Sequence, residues 1–315
     1  MAVVTTGFFD GVHIGHRHVL EAVVSCARER GEEAVVVTFW PHPRTVLQQD
    51  ARDLRLLSSL EEKKALLAAA GIDRVEVLPF TRAFAAMTAA EYLQMLHDRF
   101  GATVVVMGYD NHIGSDRKEF GSLMEDNPSP NPSSLRDSSL PTALQAVGPL
   151  PFMWPRAATG VGDGQSSIYV SSTKIREAIV GGSIEKANAM LGYNYGLYGV
   201  VVAGNRLGRT IGFPTANMKL YEPLKLVPAG GVYAVDVQVL GKEYRGMCNI
   251  GVRPTVGANN GLTIETNIFD FDEDIYGLDI RIAFRRRIRA EQRFASLEEL
   301  KEQLQKDREI CLKTY

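Results

Sequence analysis

Cysteine is scarce in this 315-residue chain. Cys26, Cys248 and Cys311 lie far apart, are odd in number and include no Cys-x-x-Cys pair, which favours neither a disulfide framework nor a zinc site. Long apolar runs are missing as well. The longest, such as Ala34 to Trp40, fall well short of the roughly 18 residues a membrane helix needs. The N-terminus reads directly into a strand, so neither a membrane segment nor a targeting leader is expected. Nor does charge of one sign dominate: 35 Lys+Arg against 37 Asp+Glu leave a formal net charge of -2. That balance removes the global positive field behind non-specific binding to nucleic acid or membrane. A reduced, cytoplasmic setting is the expectation; nothing in the composition fixes an oligomeric state.

What is present points to two domains, each long enough to bury its own core. Ala2 to Thr5, Ala34 to Phe39, Val75 to Leu78 and Thr103 to Met107 are β-branched runs of the kind buried on both faces of a parallel sheet. Helical stretches alternate with them, two opening on the capping boxes Ser59 to Glu62 and Thr88 to Glu91. The first half therefore reads as α/β with a doubly wound parallel sheet. Between Asn127 and Ser167 lie half of the 14 prolines, a composition that predicts loop, with an edge strand near 151–159. A strand into Val170 and a helix from Thr173 to Val180 follow. Tyr198 to Ala203, Gly231 to Leu240, Glu243 to Ile250, Leu262 to Phe269 and Asp279 to Ile288 then read as strands of a small antiparallel β-barrel. A third capping box, Ser296 to Glu299, opens a terminal helix with Leu297, Leu300, Leu304 and Ile310 on its apolar side. The linker is placed within 181–194, giving domains 1–185 and 186–315.

The first chemical signal is Thr6-Gly7-Phe8-Phe9-Asp10-Gly11-Val12-His13-Ile14-Gly15-His16, at the first strand-to-helix junction. Gly7, Gly11 and Gly15 let backbone amides approach an anion, and the helix aims its positive end there. His13 and His16 can hydrogen-bond phosphate oxygens as charge builds during phosphoryl or nucleotidyl transfer. A histidine in a glycine-rich turn is often only a turn residue; His-x-Gly-His at this junction weighs against that reading. Ser171-Ser172-Thr173-Lys174-Ile175-Arg176 is a helix cap followed by cations, a plausible pyrophosphate cradle. Together the two motifs read as a nucleotidyltransferase signature. With Thr38 to Pro43 and Met107 to Asp110 they resemble the FAD synthetase module of the bifunctional bacterial riboflavin kinase/FAD synthetase family. The resemblance implies transfer of AMP from ATP to FMN. It places Gly7, Phe8, Asp10, Gly11, Gly15, His13 and His16 at the ATP phosphates, with Ser171, Ser172, Thr173 and Arg176 closing over the triphosphate and Asp110 at the flavin.

The second signal is Gly204 to Asn217, a glycine-rich turn that is not a Walker A loop because no Gly-Lys-Ser/Thr occurs in it. Read alone it is evenly balanced between an ordinary loop and a phosphate site. Thr215 and Asn217 offer hard oxygens two residues apart, suited to magnesium. Pro-Thr-Ala-Asn, Val227 to Tyr233, Asn249 to Thr255 and Glu265-Thr266-Asn267 are similar, in order and type, to the riboflavin kinase module of the same family. The resemblance implies Mg2+ at Thr215 and Asn217, ATP at Gly204, Gly208, Arg209, Gly212 and Pro214, and flavin at Tyr233 and Arg253. Glu265 becomes the base that accepts the riboflavin hydroxyl proton. The expected substrates are riboflavin, FMN and ATP, with neither nucleic acid nor membrane as partner.

Two other readings stay open. Ile113 stands where the family has phenylalanine, and the proline-rich stretch is long, so a kinase with a weak or inactive adenylyltransferase half is one. An RNA- or nucleotide-binding regulatory module is the other; mild acidity counts against it. The basic cluster Arg281, Arg285, Arg286, Arg287, Arg289 and Arg293 alternates with Ile280, Ile282, Phe284 and Ile288, which favours a solvated strand face over a nucleic-acid patch.

Overall fold

A computed structural model of the chain describes residues 1–47, 53–108, 114–115, 145–147, 170–204, 207–253 and 261–314; at 145–147, 207, 252 and 253 it describes the backbone alone. Two compact units form, Met1–Leu54 with Leu60–Val170, and Arg55–Ser59 with Ser171–Tyr315.

The first unit runs β1 (Ala2–Thr6), α1 (Ile14–Arg30), β2 (Glu33–Trp40), α2 (Pro43–Leu47), α3 (Leu60–Ala69), β3 (Arg74–Pro79), α4 (Arg82–Ala85), α5 (Ala89–Phe100), β4 (Ala102–Val106) and β5 (Gln145–Val147). Its strands make a parallel sheet in the order β3-β2-β1-β4-β5. Val4, Val35 and Val37 pack in one apolar cluster with Leu93 and Leu96 of α5. Val3 and Val36 pack in another with Leu20 and Val23 of α1 and Leu67 of α3. Successive strand residues point to opposite faces, so both faces need helices, and the sheet is doubly wound as expected. The Thr88 capping box is closed in both directions by Glu91. Within 127–167 only β5 is described, an edge strand parallel to β4; residues 151–159 lie outside the described residues. The sheet order reverses between β1 and β4, and at such a switch point a crevice opens beyond the carboxyl ends of the strands.

The second unit continues with α6 (Ser172–Val180), α7 (Ile184–Leu191), β6 (Gly196–Val202), α8 (Leu207–Thr210), β7 (Ala216–Leu220), β8 (Gly231–Val239), β9 (Lys242–Arg253), β10 (Gly261–Ile268), β11 (Asp279–Arg289) and α9 (Leu297–Lys313). Its strands close an antiparallel barrel in the order β10-β7-β6-β11-β8-β9. Five of these strands match the sequence expectation. The sixth, β7, lies at the end of the glycine-rich turn, and only pairing with β6 on one side and β10 on the other defines it. Helix α7 occupies the stretch in which the linker was expected. Arg55–Ser59 is stitched into this unit: the Leu56 amide donates to Leu224 O at 2.8 Å and the Leu226 amide to Leu56 O at 2.9 Å. The buried Lys225 ammonium donates to Leu57 O at 2.8 Å.

Helix α9 packs as expected, but on a different face. Leu304 and Cys311 join the barrel's outer cluster and Asp307 is buried between them, whereas Leu297 and Ile310 are exposed. The seam follows the spacing 304, 307, 311, and Asp307 is tolerated there because Arg289 Nε reaches its two carboxylate oxygens at 3.1 and 2.9 Å. Other arginines of β11 are also tied down: Arg285 to Asp236, Arg286 to Glu185 and Arg287 to Gly230 O.

Leu56 is fully buried. Leu56→Ala is therefore expected to cost the second unit about 2–5 kcal/mol, read as faster amide exchange at Leu226 and across the barrel. A loss below about 0.5 kcal/mol would be that of a surface change and would contradict the stitched-in placement.

Candidate active sites

The turn after β1 is held in an unusual conformation. Phe9, Gly11 and Val12 all have positive φ, at 51°, 77° and 37°. Left-handed backbone is costly for an aromatic and especially for a β-branched residue, and such strain collects at functional sites. Burial of both side chains and a Val12 amide bond to Phe9 O, at 3.2 Å, hold the turn. His13 then caps α1, its Nδ1 accepting from the His16 amide at 3.3 Å. The His16 ring stacks on His13 with centroids 3.6 Å apart and meets the Phe9 ring edge-on. Gly15 makes room for this pair, since a Cβ there would sit 3.3 Å from the His13 ring. A Cβ at Gly7 would crowd the Phe9 ring at 3.1 Å.

Burial, then the neighbouring His13 and Lys63, hold His16 well below the usual imidazole range. At neutral pH His16 is a neutral donor, poised at the start of a helix whose free amides also favour an anion. Asp10 is buried in the same turn. The structure thus brings Gly7, Phe8, Asp10, Gly11, His13, Gly15 and His16 together at the sheet's switch point. Lys63 was missed by sequence reasoning: it is fully buried, its Nζ 3.6 Å from the centroid of the Phe8 ring. Its one sequence signal is its place four residues before the buried Leu67.

Ser171, Ser172, Thr173 and Arg176 belong to the second unit. Ser171 caps α6 by accepting from the Lys174 amide, and Arg176 Nε donates to Arg55 O at 2.8 Å. Asp110 lies outside the described residues, as does the side chain of Arg253.

In the barrel, register decides which side chains meet. Asn249 of β9, Glu265 of β10 and Asn217 of β7 stand in one cross-strand row. Directly opposed residues of antiparallel strands share a face, so the carboxylate and both amides point the same way. The neighbouring row, Tyr233, Cys248, Thr266 and Ala216, is buried. Tyr233 has no exposed surface; its hydroxyl donates to Ala229 O at 2.5 Å, and burial pushes it up to about 12. Cys248 is likewise pushed up to about 12 by burial, an inert thiol at neutral pH.

The glycine-rich turn folds back on this row. Phe213 N donates to Gly208 O at 2.8 Å, and Asn267 Nδ2 to Pro214 O at 2.7 Å. A Cβ at Gly204 would fall 2.2 Å from Asn217 Nδ2, and one at Gly208 2.2 Å from Phe213 O. Gly212 uses its freedom for a φ of 85°. Thr215, Asn217 and Glu265 are hard oxygen donors, and the backbone pressed against the Asn217 amide fixes one of them. A set this small suits magnesium shared with a nucleotide. A cavity of about 230 Å³ opens beside it, lined by Arg209, Pro214, Thr215, Thr266 and the segment Phe271 to Tyr276 with its three carboxylates. Sequence reasoning passed over that acidic segment. Thr215 belongs to both places, whereas Asn217 and Glu265 do not line the cavity.

Residues 1–130 match the family model described as FAD synthetase, and residues 191–315 that described as riboflavin kinase. The "Bifunctional riboflavin kinase/FMN adenylyltransferase" of Bacillus subtilis is 33% identical over 316 residues, covering 100% of this chain and 92% of that protein. The chain belongs to the bifunctional riboflavin kinase/FMN adenylyltransferase family. The Escherichia coli K12 member is 35% identical over 307 residues, covering 97% of this chain and 90% of its own. A solved structure named "Macrolide-efflux Protein" from Streptococcus pneumoniae has a TM-score of 0.82 at 32% identity, covering 98% of this chain and 93% of that one. Among the described residues no helix is long and apolar enough to cross a membrane.

Because the contact at Gly208 is with backbone, Gly208→Ala in this family member should force the turn to move, at about 1–3 kcal/mol. NMR shifts over Phe213 to Asn217 and a lower barrel stability are the expected readouts; an unperturbed spectrum would contradict the folded-back turn.

Proposed function

We propose that the chain makes FAD from riboflavin in two steps: residues 186–315 phosphorylate riboflavin with ATP, and residues 1–185 adenylylate the resulting FMN. Family membership of both halves supports the pair of reactions. The single observation that supports the residue roles best is the row Asn249, Glu265, Asn217. In the kinase step the riboflavin hydroxyl oxygen attacks the γ-phosphorus of ATP, the bond to ADP breaks, and Glu265 takes the hydroxyl proton. Thr215 and Asn217 would hold Mg2+, which when bound neutralises charge on the transferring phosphoryl group. Gly204, Gly208, Arg209, Gly212 and Pro214 shape the turn that keeps the nucleotide against them. Tyr233 and Arg253 are assigned to the flavin by resemblance alone.

In the adenylylation step an FMN phosphate oxygen attacks the α-phosphorus of ATP and pyrophosphate leaves; no covalent enzyme intermediate is required. The turn amides and Gly7, Phe8, Asp10, Gly11 and Gly15 position the phosphates, while His13 and His16 donate hydrogen bonds to oxygens that gain charge. Ser171, Ser172, Thr173 and Arg176 are assigned to the triphosphate, and Asp110 to the flavin, by resemblance alone. Small anionic substrates of this kind fit a chain with no overall basic field, and a cytoplasmic enzyme is the corresponding assignment.

The test is to incubate the protein with riboflavin, ATP and magnesium and to separate the flavins, with FMN and then FAD expected; folded protein that yields neither contradicts the proposal. Glu265→Gln should lower FMN formation by about 10²–10⁴-fold while supplied FMN is still converted to FAD. His16→Ala should do the reverse and accumulate FMN. Loss of both steps in either folded variant would remove the separate assignments.

A further inference from the structure

Lys63 and Lys225 are both buried lysines, and they differ in what surrounds them. Lys225 has a strong carbonyl acceptor, Leu57 O at 2.8 Å. Lys63 Nζ reaches Thr38 Oγ1 only at 3.4 Å and otherwise stands over the Phe8 ring, 3.6 Å from its centroid. The Thr38 hydroxyl donates in turn to Phe8 O at 3.3 Å. One ammonium therefore holds Phe8 twice, by its ring and, through Thr38, by its carbonyl. Phe8 lies in the phosphate turn, between Gly7 and the strained Phe9 to Val12 segment.

Burying an ammonium is expensive, and a buried charge replaced by a well-packed apolar side chain often leaves a protein as stable or more so. Packing alone thus gives no reason for lysine at this position. The titratable groups around it are Asp10 in the turn, His13 and His16 at the start of α1, and His42, whose ring meets Phe8 at 4.1 Å. Asp10 favours the charged form, and Lys63 in turn helps to keep His16 neutral.

We propose that Lys63 is a positioning residue for FMN adenylylation, clamping Phe8 and setting a fixed positive charge at the phosphate turn beside His16. The inference rests on the adenylyltransferase reading of the first unit. Burial lowers the Lys63 ammonium to about 8, so it is charged at neutral pH and loses its proton as the pH rises through that value. The alkaline side of the adenylylation profile should report that loss.

The experiment uses the full chain supplied with FMN, ATP and magnesium. Lys63→Met is expected to keep the thermal stability of the first unit while lowering kcat for FAD formation by about 10- to 100-fold, with KM for FMN changed less. The wild-type rate should fall as pH rises through about 8. That fall should vanish in Lys63→Met and move to higher pH in Lys63→Arg, whose guanidinium stays charged. Riboflavin phosphorylation by the same preparations should be unchanged. A Lys63→Met enzyme with wild-type kcat, or a wild-type profile flat from pH 7 to about 9, overturns the role. If Lys63→Met unfolds, Lys63→Arg and the wild-type profile still decide. Wild-type protein that makes no FAD would instead overturn the underlying function, so the two failures are distinguishable.

Discussion

The cross-strand register of β10 is the constraint on which the chemistry proposed for the barrel depends. With Glu265 opposite both Asn217 and Asn249, a carboxylate and two amides share one face. A slip of one residue would turn Glu265 into the buried row and bring Thr266 out, because strand side chains alternate. The barrel's closure resists that slip: β10 is paired on both edges, and Cys248, Tyr233 and Ala216 fill the inner row. Folding and function are therefore linked at one point. The strand pairs that close the barrel also aim the proposed base at the proposed metal site.

The first unit uses another device. Its sheet is ordinary, a stack of valines with helices on each face, but the turn beyond β1 carries positive φ at two non-glycine residues and, against it, a buried lysine. Both features cost stability, and both lie at the switch point of the sheet. Rigid strands pay for a strained loop, which is where α/β folds place ligand chemistry. The second unit contains less strain but depends on a segment distant in sequence, Arg55–Ser59, whose backbone pairs beside Lys225.

The parts legible in the sequence were those set by local pattern. Runs of valine gave the parallel strands, Thr88 and Glu91 the start of α5, and His-x-Gly-His the turn from β1 into α1. The missed parts depended on partners far away. β7 is only Ala216 to Leu220, and its alternation has meaning only once β6 and β10 flank it. Lys63 follows two glutamates and reads as a solvated helix residue until Phe8 and Thr38 are seen against it. On α9 the packed face shifted because Arg289 neutralises Asp307, so a carboxylate took a place that hydrophobic pattern would give to leucine.

The proposed function puts two separate sites in one chain, the FMN made at one being the substrate of the other. Mixing folded Glu265→Gln and His16→Ala proteins with riboflavin, ATP and magnesium shows whether the two sites work separately. The expected result is rapid FAD formation from the mixture and FAD slower by about 10²-fold or more from either variant alone, FMN made by the second protein being consumed by the first. FAD formed from riboflavin at the wild-type rate by either variant alone, or none from a mixture in which each protein performs its own step, would contradict it.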